Sequence, residues 1–158
     1  MTGTLQHRID SASLFIRATP EAIYRAFLDP AQLLAWLPPE GMKGRIESID
    51  PIVGGRYRMT LTYQTPDHTP GKSSDHSDVV EGKYVELVPN ARVVQLVEFD
   101  SDDPAFAGTM KMTWAITPVP GGAEVVMTCE NVPSGISADD HRKGLESSLS
   151  NLARLLEC

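Results

Sequence analysis

The sequence has no run of lysine or arginine, no cysteine framework and no apolar stretch of membrane-spanning length, and each absence removes a class of function. With a formal charge of −7 over 158 residues, it lacks the clustered positive charge that nucleic acid or an anionic membrane surface demands, so neither is expected as a partner. Met1 to Asp10 is too polar for the apolar core of a signal peptide, and the expected location is the cytoplasm. Two cysteines, Cys129 in a strand-like stretch and Cys158 at the end, give neither a disulfide set nor metal-ligand spacing. Cys129 reads as a small buried hydrophobe. A nucleophile elbow, a glycine-rich phosphate loop ahead of a helix and paired carboxylates on one face are also missing, and Gly54-Gly55 joins two strands as a turn. No cofactor is called for. The length suits one domain, residues 1–158, since a domain of this size buries roughly 68–70% of its unfolded surface.

What is present is organised around the stretch from Ser137 to Cys158. Leu145, Leu149, Leu152 and Leu156 fall at helical spacing and form one apolar stripe. Ser137 is a good N-cap, and Asp139 and Asp140 lie where the positive end of the helix dipole favours carboxylates. Toward its N-terminus the stripe turns small or polar at Ser148, Gly144 and His141. Glycine inside a helix costs about 1 kcal/mol relative to alanine, so Gly144 predicts close approach by another backbone or by a bound molecule. A cavity is expected beneath this half.

Earlier in the chain, Ser11 to Arg17 alternates as a strand. Thr19, Pro20 and Glu21 then open a helix carrying Ile23, Tyr24, Ala26 and Phe27. Asp29, Pro30 and Gln32 repeat the start signal ahead of Leu33, Leu34, Trp36 and Leu37, and Pro38-Pro39 ends this second short helix. From Met42 to Glu130 the period becomes two, with turn signals at Asp50-Pro51, Gly54-Gly55, Pro89-Asn90 and Pro120-Gly121-Gly122. Tyr57, Met59, Leu61 and Tyr63 share one face, as do Met110, Met112, Trp114 and Ile116, and Ala123, Val125, Met127 and Cys129. Such alternation means one face covered and one wet. Arg92 to Phe99 has no clear inside, because Val93, Val97 and Phe99 oppose Val94 and Leu96. Six or so antiparallel strands and three helices predict an α+β fold whose curved sheet wraps the last helix. A methionine-rich, aromatic inner face suits adaptable apolar contact, although each such residue taken singly also suits a plain core.

The order Pro20-Glu21, Leu34, Trp36 and Pro38, then Gly54-Gly55-Arg56-Tyr57, Gly82 with Tyr84, Glu86 and Pro89, Thr113-Trp114 and Gly121-Gly122, resembles the START-like (SRPBCC) superfamily. Within it, the chain is similar to the AHSA-like branch, that of the C-terminal domain of the activator of the ninety-kilodalton heat-shock protein's ATPase. The resemblance covers nearly the whole chain. It implies a helix-grip fold, with an apolar pocket between sheet and last helix and the two short helices at one mouth. Where that branch often carries tryptophan after the glycine of the last helix, this chain has Leu145, which makes that wall smaller. The same grip serves lipid carriers, hormone receptors, cyclases and co-chaperones, so fold alone does not name the function.

The expected function is binding of a hydrophobic or amphipathic small molecule in that cavity. Trp36, Met42, Tyr63, Met112, Trp114, His141, Gly144, Leu145 and Ser148 are the expected lining, with His141 and a tyrosine hydroxyl fixing orientation. Trp36 is either a gate or a residue that packs the short helix on the sheet. His141, near a helix N-terminus, suits hydrogen bonding, general-base work or a capping role. Two alternatives stand beside this reading: an interaction module contacting a chaperone through the outside of the sheet, and a cyclase- or hydratase-type enzyme using His141 with Glu98. Asp67-His68 and Asp75-His76-Ser77-Asp78 carry metal-binding side chains at no recognised spacing, and Pro66, Pro70 and Gly71 make a polar hairpin loop the plainer reading.

Overall fold

Period-two alternation from Met42 to Glu130 forms six strands, as expected, and the strand ahead of the two short helices joins them to make a sheet of seven. A computed structural model describes residues 8–39, 41–63 and 77–157, with Tyr63 and Ser77 described through their backbone. In order the elements are β1 (Ile9–Ile16), α1 (Pro20–Leu28), α2 (Pro30–Trp36), β2 (Met42–Ile49), β3 (Arg56–Tyr63), β4 (Ser77–Val88), β5 (Arg92–Phe99), β6 (Met110–Val119), β7 (Gly122–Glu130) and α3 (Ala138–Leu156), with a 3-10 turn at Pro104–Phe106. All neighbouring strands are antiparallel in one sheet ordered β1-β7-β6-β5-β4-β3-β2. Register shifts between Ile46 and Ser48 and between Tyr84 and Glu86 are bulges that sharpen the twist, and the sheet curls into a half-barrel. The architecture is the α+β helix grip.

Helix ends form where side chains can satisfy stranded backbone groups. Thr19 accepts from the Ala22 N–H at 3.1 Å, with Pro20 pre-set at the first helical position. Asp29 serves two helices: its N–H donates to the Arg25 carbonyl at the end of α1, and its carboxylate accepts from the Gln32 N–H at 2.9 Å to start α2. Ser137 caps α3, with Asp139 and Asp140 in the first turn and Arg154 in the last. The leucines of α3 face inward, Leu149 and Leu152 fully buried and Leu145 nearly so. They share one core with Ile16, Ile23, Phe27, Val125 and Met127. The helix lies over β1 and against α2, and α2 in turn covers β2.

The strand whose inside the pattern leaves open is settled by burial. Val93, Gln95 and Val97 face in, whereas Leu96 and Glu98 are exposed. Val94 is buried as well, on the other face, which is why alternation there reads both ways. Strand β1 starts earlier than expected, at Ile9, and so brings Asp10 onto the inner side opposite Cys129. The outer face carries ion pairs: Arg58 with Glu81 at 2.6 Å and Asp100 at 3.0 Å, and Arg92 with Glu86 at 2.7 Å. Such exposed pairs contribute little, about 0–1 kcal/mol each.

One glycine is required by packing. Gly82 pairs with Tyr57 across β3 and β4, and a Cβ on it would lie 2.2 Å from the Tyr57 ring. The ring lies over the bare strand. We expect Gly82→Ala to force the ring aside and destabilise the fold by about 1–3 kcal/mol, lowering Tm by several degrees in a thermal melt. An unchanged Tm would show that the ring repacks without cost.

Candidate functional site

With no side chain at Gly82, the Tyr57 ring spans β4 and its hydroxyl donates to Gln95 Oε1 on β5 at 2.5 Å. This bond is what makes an inward amide tolerable, because Gln95 is only 1% exposed. Its Nε2, however, has no partner, and neither has the indole Nε1 of Trp114 on β6. Both residues line a cavity of about 10 Å³. Its roof is Leu33 and Leu37 from the α2 end, its sides Ile46 and Ile49 of β2 and Tyr57 and Met59 of β3, with Tyr84 beside Gln95. That volume is the room of a single water. A buried donor left with no partner at all costs about 1–3 kcal/mol, so an oxygen atom bound in this void would be held by both residues. Burial pushes the pKa of both Tyr57 and Tyr84 upward, so both phenols stay neutral.

Of the residues expected to line a pocket, Trp114 is the one on this wall. Trp36 is fully buried, its indole N–H donating to the Ala26 carbonyl at 2.8 Å, its ring 5.3 Å from Trp114 and 6.0 Å from Phe27. Its place is that of a packing residue. Met112 is half-buried between its Cα partners Gln95 and Cys129, and Met42 is half-buried at the start of β2, opposite Tyr63. The side chain of Tyr63 lies outside the described residues, as does the 64–76 loop with its histidines. Among the described residues no group of three or more His, Cys, Asp or Glu could hold a metal.

On α3, Ser148 meets the backbone that follows α2, and Gly144 makes ordinary contact with a proline side chain. Helix α2 stops before two prolines, so its last carbonyls have no intrahelical partner. Ser148 donates to the Leu37 carbonyl at 2.6 Å, and Asn151 Nδ2 donates to the carbonyls of Trp36 at 3.3 Å and Pro38 at 3.1 Å. A Cβ on Gly144 would lie 3.8 Å from Pro39 Cγ, and Leu145 belongs to the core. The void described above lies beneath α2, whereas the helix stripe suggests one beneath the N-terminal half of α3.

His141 has an acid partner that the sequence does not mark. Its Nδ1 lies 2.7 Å from Asp10 Oδ2, and Arg8 grips the same carboxylate through Nη2 at 2.7 Å and Nε at 3.1 Å. The cluster pins the first turn of α3 to β1. Glu98, the acid expected beside His141, is instead exposed on the outer face and accepts from Thr109 Oγ1 at 2.7 Å. That placement removes the His141–Glu98 pair as a catalytic unit. Cys129 is no nucleophile either: burial first, then the nearby Asp10 charge, raises its thiol to about 12. Asp10 itself was legible as an inward position once β1 is read back to Ile9, in step with Ala12, Leu14 and Ile16.

The Arg8 hydrogen bond, opposed by burial and aided by His141, holds the Asp10 carboxyl below its ordinary range. A depressed folded-state pKa gives stability that is present above the unfolded value of about 3.9 and is lost as pH falls through the folded one. Asp10→Asn should cost about 1–3 kcal/mol in denaturant unfolding at pH 7 and flatten the loss of stability below about pH 4. An acid limb identical to wild type would place that titration elsewhere.

Comparison with known proteins agrees with this geometry. The structure of protein CV1439 from Chromobacterium violaceum is 32% identical, with a TM-score of 0.83 over 96% of this chain and 99% of that one. A protein from Rhodobacter sphaeroides shares the fold at 21% identity, with a TM-score of 0.71 over 95% of this chain and 97% of that one. DynU16, from the dynemicin biosynthetic locus, shares it at 16% identity and a TM-score of 0.67, over 94% of this chain and 47% of that one. No curated protein matches the sequence. No helix among the described residues is long and apolar enough to cross a membrane. The family model described as Activator of Hsp90 ATPase homolog 1-like protein matches residues 17–157, and the chain belongs to that family.

Proposed function

We propose that this protein binds a hydrophobic or amphipathic small molecule between the helices and the inner face of the sheet, centred on the cavity under α2. The observation that carries this reading is the pair of partnerless donors, Gln95 Nε2 and Trp114 Nε1, on the wall of an otherwise apolar void. Family members commonly bind ligands in the corresponding space. At about 10 Å³ the resting cavity is too small for an organic ligand, so binding proceeds with movement of its wall. Leu37 and Ile46 are half-buried members of that wall, and Met59 is unbranched and reshapes readily. The outer face, threaded with Arg58 and Arg92 ion pairs, offers less to a partner protein, which is why chaperone contact stands second.

The test uses N-phenyl-1-naphthylamine, a neutral apolar dye that brightens on leaving water. Wild-type protein should bind it and gain Tm as the dye concentration rises above its Kd, with the logarithm of that concentration. Ile46→Trp, which places an indole in the void, should weaken binding roughly tenfold or more, about 1.4 kcal/mol, while keeping the far-ultraviolet circular dichroism of the fold. Dye affinity indifferent to Ile46→Trp, or no binding together with no small molecule retained in native mass spectrometry, would overturn the assignment.

A further inference from the structure

Resting on that reading, we infer the class of ligand: a neutral, mostly apolar molecule bearing a carbonyl-type oxygen, which accepts hydrogen bonds from Gln95 Nε2 and Trp114 Nε1. Three observations converge. First, the two buried side-chain atoms at this wall that have no protein partner are both donors. Gln95 Oε1 is already engaged by the Tyr57 hydroxyl, and an indole nitrogen can only donate. Turning the Gln95 amide over would strand its oxygen and leave the Tyr57 hydroxyl proton without an acceptor, so the observed orientation is the one that leaves fewest groups unpaired. Second, the donors are neighbours. Gln95 faces Met112, and Trp114 stands two residues further along the same strand and face, the diagonal spacing across which side chains on adjacent strands interact. Third, no lining residue carries a charge, since the remaining polar members are the two phenols that burial keeps protonated. A carboxylate or ammonium would enter without a counter-charge in a medium that penalises it, whereas a ketone, ester or quinone oxygen pairs with donors that are otherwise wasted.

An unsubstituted hydrocarbon would cover both donors without pairing either.

The experiment compares two ketones with their methylene counterparts, acetophenone with ethylbenzene and 9-fluorenone with fluorene, by titration and by the indole N–H signals. A plain apolar cavity favours the methylene member of each pair, which leaves water more readily. The inference predicts the reverse, the ketone bound up to about tenfold tighter. It also predicts that the Trp114 indole proton moves downfield with ketones only. Trp36, already bonded to the Ala26 carbonyl, is the internal control and should hold still. Because Gln95→Leu alone would strand the Tyr57 hydroxyl, the paired variant Tyr57→Phe/Gln95→Leu removes both partners; it should keep hydrocarbon binding and lose most of the ketone preference. Methylene compounds bound as tightly as ketones, with the Trp114 signal unmoved, would overturn the carbonyl inference and leave cavity binding standing. Binding of neither pair, with no dye binding, would overturn both.

Discussion

Three carbonyls at the C-terminal end of α2, those of Trp36, Leu37 and Pro38, must find donors outside the helix, and α3 supplies them from Ser148 and Asn151. The arrangement of the interior follows from that need. A helix of seven residues is too short to be stable alone, and the prolines that stop it prevent one further turn from using those carbonyls. Ser148 on α3 meets the backbone that follows α2, and α2, once held, roofs the inner face between β2 and β6.

Beneath that roof the polar interior depends on an absence. Without a side chain at Gly82, a phenol ring can cross a whole strand and deliver a hydroxyl to β5. Three successive strands thus cooperate through side chains: bare backbone on β4, ring on β3, amide on β5. Burying Gln95 without Tyr57 would leave both its carbonyl and its amine unpaired. With Tyr57 the carbonyl is satisfied and the amine alone remains, so the network is half complete by construction.

The helix caps, the leucine stripe and the clean alternation of β3, β6 and β7 were legible because each is a local pattern whose meaning depends on neighbours in sequence. Fold and family followed from their order. The candidate site was far less legible, for reasons that can be named. The Gln95 orientation depends on a hydroxyl 38 residues away, and in its own strand Val94 and Leu96 argue for the opposite face. The acid partner of His141 lies 131 residues away on the first strand. Ser148 does meet a neighbouring backbone, but at Gly144 a Cβ would find only ordinary contact with a proline side chain, so the glycine reports no close approach. Whether Ser148 meets a ligand or a backbone is decided by the stranded carbonyls of α2, which no pattern within α3 encodes.

The interior treats its two kinds of polar group differently. Where a charge is buried and its contacts are resolved, at Asp10, it is gripped by Arg8 through both oxygens and backed by His141, because an uncompensated buried carboxylate costs several kcal/mol. Under α2 two neutral donors have no protein partner and stand at a void with the room of a single water. Among the described residues, the chain secures the buried charge at Asp10 from two sides, and the two buried side-chain atoms without a protein partner, Gln95 Nε2 and Trp114 Nε1, are both donors and belong to residues of one wall.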